Sequence, residues 1–144
     1  MTPPTLLFLS ILLMIAADLA WPAAEVVPCP YNLAGLLPVA FGVVWNIWAD
    51  RLFKRAGTTV KPDRRPSVLV SDGPYRFSRH PMYVGMASVA GGVAVLLGSL
   101  TPFAVAAALV ALFAVKFVPA EERAMEAAFG RRWREYSSHV RRWI

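Results

Sequence analysis

The first 50 residues contain no lysine or arginine, and none occurs between Arg79 and Lys116. All 15 basic residues therefore fall in two stretches, Arg51 to Arg79 and Lys116 to Arg142. An excess of Lys and Arg in the loops on one side of apolar segments is the pattern that orients membrane proteins, and it assigns both stretches to the cytoplasmic side. The net charge of +6 then reflects topology and contact with anionic lipid headgroups. Neither stretch follows a DNA- or RNA-reading pattern, which argues against nucleic acid as a partner. Cysteine is nearly absent as well. The single Cys29, between Pro28 and Pro30, excludes an internal disulfide and a thiolate metal cluster, and no metal site is expected. Met1 to Pro4 carries no basic residue, so the first apolar stretch is expected to remain as a span rather than be removed as a signal peptide.

What fills the space is hydrophobic. The chain has 144 residues, of which 57% are hydrophobic, more apolar surface than a soluble domain of that size can bury. One domain is expected, all-α, with about four transmembrane helices over 5–21, 33–50, 81–97 and 102–118. The uncharged run from Pro81 to Val115 is too long for one span and fits two of roughly 17 residues. Gly98-Ser99-Leu100-Thr101-Pro102 supplies the turn between them. Segment 51–80 reads as a cytoplasmic loop and 119–139 as a C-terminal amphipathic cytoplasmic helix, with both termini cytoplasmic. Along that helix Met125, Phe129, Trp133, Tyr136 and Val140 recur at intervals of three or four, which makes one apolar face. Glu121 and Glu122 read as its acidic first turn. Small residues from Gly85 to Gly92 permit close packing of the third helix.

Polar residues crowd one helix mouth. Arg79-His80-Pro81-x-Tyr83-x-Gly85 lies at the lip of the uncharged run, where polar groups are costly to keep and mark a site. Proline favours the first helical position, so the third helix is expected to begin at Pro81 with His80 just outside it. The N–H groups of that terminus together with Arg79 suit a carboxylate. Gly73-Pro74 turns Tyr75 inward. The inner end of the fourth helix brings Glu121 and Glu122 to the same depth. Donors facing carboxylates suit a zwitterion that carries one carboxylate and one ammonium. His80 as a plain helix cap and Glu122 as a plain acidic first-turn residue stay open. Asn46 and Asp50 either line a substrate entrance or bond between helices. Asp18 lies too far out to join this site, and His139 reads as a surface residue.

The ordered set Leu69-Val70-x-x-Gly73-x-Tyr75, Arg79-His80-Pro81-x-Tyr83-x-Gly85, Glu121-Glu122-x-x-Met125 and Phe129-Gly130-x-x-Trp133-x-x-Tyr136 resembles the isoprenylcysteine carboxyl methyltransferase and phospholipid methyltransferase group of integral-membrane methyltransferases. The resemblance covers about Val68 to Tyr136. It implies S-adenosylmethionine as cofactor, held by Ser67, Val68, Leu69, Val70, Tyr75, His80, Pro81, Met82, Tyr83 and Glu121, with His80 and Glu121 the candidates for assisting proton removal. It also implies a lipophilic or membrane-embedded acceptor, methylated at O, N or S at the cytoplasmic face of a cell inner membrane. In one respect the chain departs from that group. Prenylcysteine enzymes carry an arginine four residues before the first glutamate, where Phe117 stands here beside Lys116. Lysine does not replace a bidentate guanidinium, so a prenylcysteine carboxylate is not the expected acceptor. The rival expectation is a non-enzymatic four-helix membrane protein, a transporter subunit or scaffold that grips anionic lipid through its basic loops.

Overall fold

A computed structural model describes residues 1–57 and 68–144. Ser67 of the expected cofactor set lies outside the described residues. Among the described residues, six α-helices follow in order: α1 (Pro3–Ala20), α2 (Leu36–Arg55), α3 (Pro81–Leu97), α4 (Leu100–Leu112), α5 (Val118–Phe129) and α6 (Arg131–His139). A 3-10 turn, Tyr31–Gly35, leads into α2, and another, Gly73–Arg76, precedes α3. There is no strand among the described residues, only an isolated bridge between Glu25 and Ser99.

Among the described residues, three helical runs are long and apolar enough to cross a membrane. They are Pro3–Ala20, Tyr31–Arg55 and Leu100–Phe129, with mean hydropathies of 1.9, 1.4 and 2.2, and the apolar helix Pro81–Leu97 is shorter. Their outward faces carry Phe8, Leu12, Leu13, Leu37, Val44 and Trp48, all exposed. Such a surface is a liability in water and a match for acyl chains. This is an integral membrane protein.

The short helix is the central one. α3 packs against α1, α2 and α4, and it buries Tyr83, Val84, Met86, Val89, Ala90 and Ala94. It begins at Pro81 with His80 as its N-cap residue. The bundle core joins Met14 of α1 to Met86, Ala90 and Ala94 of α3, Ala106 and Leu109 of α4, and then Phe113 and Val118.

Against α2 the helix comes close enough for backbone to meet backbone. A Cβ on Gly42 would lie 2.4 Å from the carbonyl oxygen of Gly85, and one on Gly35 would lie 2.4 Å from that of Gly92. Helices pack without a hydrophobic drive in lipid, so such contact surfaces are what hold them. The Ser88 hydroxyl adds a hydrogen bond to the Pro38 carbonyl at 2.9 Å. Gly91, in the same cluster of small residues, has nothing within 4 Å of a Cβ.

Two features differ from the expected C-terminal half. First, no new helix opens at Glu121. The run Leu100–Phe129 is continuous, passing through a π-helical turn, Phe113–Phe117, into α5. Pro119 has no N–H to give to the preceding turn, and a wider turn upstream accommodates that loss. Glu121 and Glu122 thus sit within a helix rather than at free N–H groups, and the dipole does not account for them. Second, the helix expected over 119–139 breaks at Gly130, whose φ of +51° suits glycine. At the other end of the bundle, Asp18 accepts a hydrogen bond from Ser99, and Thr101 bonds the Trp21 carbonyl at 2.6 Å. Both belong to the connection over the α3–α4 turn, far along the helices from His80.

Candidate active site

Pro81 starts α3 at a point where Ser78, Arg79 and His80 must turn sharply into it. The buried Ser78 side chain, 1% exposed, makes that turn. Its hydroxyl oxygen accepts the His80 N–H at 3.1 Å, and the hydroxyl donates to the Arg142 carbonyl at 3.3 Å. This is the local side-chain-to-backbone bonding that serine offers at turns.

His80 is thereby fixed between two carboxylates. Its Nδ1 lies 3.4 Å from Glu121 Oε2 and its Nε2 lies 3.4 Å from Glu122 Oε1. The imidazole is 4% exposed in its side chain. Tyr83, one turn into α3, donates its hydroxyl to Glu121 Oε1 at 2.5 Å. Its ring stands edge-on to Phe113 at 4.9 Å. The two glutamates differ in kind. Glu122, 13% exposed, is claimed by Arg79 at 3.0 Å and by Arg142 through two bonds of 3.1 and 2.7 Å. Glu121, 46% exposed, is the acid that faces outward.

Tyr75 lies buried in the 3-10 turn before α3, with its ring 5.1 Å from Phe53 of α2. Its carbonyl accepts the Tyr136 hydroxyl at 2.7 Å, which ties α6 to the loop. Burial, first of all, raises the Tyr75 phenol well above the usual tyrosine range, and Tyr136, Glu121 and Asp50 add to the effect. Burial likewise pushes Tyr136 up to about 12, against the opposing charge of Arg79. Both phenols are therefore neutral donors at physiological pH and neither is a ready base.

Of the residues expected at the site, Tyr75, His80, Tyr83 and Glu121 converge. Pro81 is buried at the start of α3, and Met82 packs on the core. Val68 is exposed, and Leu69 and Val70 are half-buried. The structure puts Arg79 on Glu122, so its guanidinium serves the protein's own carboxylate rather than an incoming one. Glu122 is part of the charged cluster, held by the protein's own Arg79, Arg142 and His80. Phe117 packs its ring 6.0 Å from that of Phe113 while Lys116 is exposed, so no cation stands inward at that position. Gly85 approaches α2, where a Cβ would lie 2.5 Å from Asn46 Oδ1. Asp50 pairs with Lys54 at 2.6 Å, and His139 is exposed.

Three participants were not singled out from sequence: Ser78, Arg142 and the Tyr136 hydroxyl. Ser78 had a local signal, a hydroxyl two residues before a histidine that precedes a helix-starting proline. Arg142 had none, because its partner lies 20 positions away.

A membrane-embedded helical bundle with a charged, partly enclosed site at one mouth of its central helix is the class these features define. The phospholipid methyltransferase family model matches residues 31–132, from the turn before α2 to the start of α6. The chain belongs to the phospholipid methyltransferase family, a family of integral-membrane methyltransferases. No curated protein and no solved structure matches it.

Proposed function

We propose that this protein transfers a methyl group from S-adenosylmethionine to a lipophilic acceptor dissolved in the membrane, at the cytoplasmic end of α3. The observation that carries this reading is the Glu121 carboxylate. It is half-exposed, held on one oxygen by Tyr83 and on the other by His80, and it stands beside the N-terminus of α3. A fixed carboxylate with an open side fits the ammonium of the cofactor's amino-acid end. The residues present therefore fit the cofactor at that end. Tyr75, His80, Tyr83 and Glu121 would hold it, with Ser67 to Val70, Pro81 and Met82 as the adjoining chain segments implied by the family resemblance.

When bound, S-adenosylmethionine supplies a methyl group activated by a sulfonium. The protein's own contribution is to orient and to exclude water. Tyr83 and His80 fix the direction of Glu121, and the buried Tyr75 and Phe113 rings keep the neighbourhood dry, where positioning and electrostatics count most. Aromatic faces near the mouth also favour a cation. His80 and Glu121 are the groups placed to take a proton from an amine or thiol acceptor. The basic segments set the cytoplasmic side, where a water-soluble cofactor arrives, and the exposed apolar helix faces admit the acceptor sideways.

The rival, a transport or scaffold protein, is less well supported. Buried polar side chains among the described residues are Ser78, His80 and Ser99, at the two ends of α3. Between them the core is Met14, Met86, Ala90, Ala94, Ala106 and Leu109; Ser88 is spent on the Pro38 carbonyl and Asn46 packs against Gly85, so no continuous polar path runs along it.

Equilibrium binding of tritiated-methyl S-adenosylmethionine to the purified protein in lipid nanodiscs tests the reading. Saturable binding that weakens at least tenfold in Glu121→Gln is expected. Absence of saturable binding to the wild-type protein would overturn it. A screen of lipid-soluble amines, thiols, phenols and carboxylates for tritium incorporation then identifies the acceptor.

A further inference from the structure

The segment after α6 crosses the mouth of the bundle and is bound to both halves of the site. The Arg79 N–H donates to the Arg141 carbonyl at 2.9 Å, and the Ser78 hydroxyl reaches the Arg142 carbonyl. Trp143 packs against the bundle core. This pinning aims one side chain. Arg142 grips Glu122 by its Nε at 3.1 Å and by a terminal nitrogen at 2.7 Å, the two-pronged geometry that fixes a carboxylate in orientation as well as in place.

The two oxygens of Glu122 are used unequally. Oε1 is shared among Arg142 Nε, Arg79 and His80 Nε2, whereas Oε2 is held by Arg142. Without Arg142 that second oxygen loses its partner, and the carboxylate, then held through Oε1 alone by Arg79 and His80, can pivot about that oxygen and loosen its grip on His80. His80 in turn shares Glu121 with Tyr83. A continuous polar chain thus runs from Arg142 through Glu122, His80 and Glu121 to Tyr83. It is anchored at one end by the C-terminal segment and at the other by α3. Arg142 lies beyond residue 132, where the family match ends.

We propose that Arg142 is a positioning residue for the methyl-donor site, acting through Glu122 to hold His80 and the 78–80 turn in place. In this role it acts through Glu122 and needs no contact of its own with cofactor or acceptor. This assignment rests on the functional reading above for the identity of the donor, and on geometry alone for the positioning.

Two measurements on the full-length protein in nanodiscs test it. One is the dissociation constant for tritiated S-adenosylmethionine. The other needs no cofactor: the rate at which diethyl pyrocarbonate modifies His80, followed by peptide mass mapping. His80 is buried and His139 exposed, so His139 is an internal reference within each sample. In Arg142→Ala the dissociation constant is expected to rise about tenfold, equivalent to about 1.4 kcal/mol. His80 modification should accelerate several-fold while His139 does not change. Arg142→Lys should recover part of the affinity, since it restores charge without the fork. Arg131→Ala, which removes an exposed charge from α6, should match wild type in both.

If Arg142→Ala binds the cofactor as tightly as Arg131→Ala does, or leaves His80 as protected as in wild type, the assignment is wrong. It is equally wrong if Arg142→Ala and Arg142→Lys lose affinity only in step with lost helical signal and melting temperature, for then the arginine merely holds the fold. A wild-type protein that binds no cofactor sinks the functional reading and this assignment with it. Tight binding that is indifferent to Arg142 sinks the assignment alone.

Discussion

Replacing Gly42 by alanine should separate α2 from α3, and the structure sets the size of the effect. The added Cβ would stand 2.4 Å from the Gly85 carbonyl oxygen, 2.8 Å from Val89 Cγ2 and 3.0 Å from Val89 N. Two of these three are backbone atoms of a helix buried on three sides, so neither can swing away. To restore ordinary contact the helices must part locally by roughly 1 Å, and a gap of that size forfeits a quarter to a half of each affected dispersion contact. Overpacking of this kind costs about 1–3 kcal/mol. Gly91→Ala is the matched control. It sits on α3, the facing helix, with nothing within 4 Å of its Cβ, and trading glycine for alanine inside a helix stabilises by about 0.5–1 kcal/mol. Both variants gain that propensity term, so they should differ by the overpacking cost, about 1–3 kcal/mol, with Gly91→Ala the more stable. Reversible unfolding of the purified protein in mixed detergent micelles, followed by circular dichroism, measures this difference directly. If Gly42→Ala proves as stable as Gly91→Ala, the close α2–α3 contact is not what holds the bundle. The separation should also reach the site, because Phe53 on α2 carries the ring on which Tyr75 rests.

Three further outcomes follow from the charged mouth and its supports. Glu122→Ala leaves the Arg79 and Arg142 guanidiniums facing each other without their shared carboxylate; breaking a buried pair costs about 3–5 kcal/mol, and the half-exposed Arg142 lowers that to about 2–3 kcal/mol, readable in the same unfolding assay. Gly130→Ala meets no atom within 4 Å, so its cost is that of the backbone alone, φ +51° with ψ −114°, about 1–3 kcal/mol, and should appear as a lower melting temperature. Tyr136 is neutral in the folded protein up to about pH 12. Because its folded-state value is raised above the ordinary value near 10, its contribution to stability is complete below pH about 10 and is lost as the pH climbs toward 12. Ultraviolet difference titration of the folded protein should show one phenolate fewer in Tyr136→Phe only as the pH reaches about 12, and the variant should be less sensitive to alkaline unfolding.

The parts of the fold legible in the sequence were those marked by local chemistry. Pro81 starts α3 because proline tolerates the first helical position, and Gly98 to Pro102 turn the chain because glycine and proline do so wherever they meet. The apolar runs and the two basic stretches gave the membrane class. At the site, His80, Tyr83 and Glu121 were visible through an ordered motif. The remainder depends on contacts between distant positions. Nothing near Arg142 shows that it grips Glu122. Nothing near Arg79 shows that its charge is already satisfied. The break at Gly130 was hidden because the apolar rhythm from Met125 to Tyr136 continues across it, and a periodic pattern reads the same whether the helix is straight or bent. The π-helical turn before Pro119 likewise has no pattern of its own. It follows from a continuous helix having to pass a residue without an N–H.

The shortness of α3 sets the depth at which chemistry can occur. Its 17 residues make a rod about 26 Å long, several ångströms less than a hydrocarbon core of about 30 Å. The flanking helices are longer, and the run through α4 and α5 extends 30 residues. A bilayer matched to those flanks buries the ends of α3 beneath its headgroups. His80, Tyr83 and the two glutamates then lie in a recess at the level of the first acyl carbons, roofed by the C-terminal segment. Under the proposed function, a greasy acceptor would not have to be hauled out into water to meet its methyl donor; the donor's polar end would be lowered to it. Thinner or thicker bilayers would shift that level, so turnover under the proposed function should depend on the chain length of the surrounding lipid.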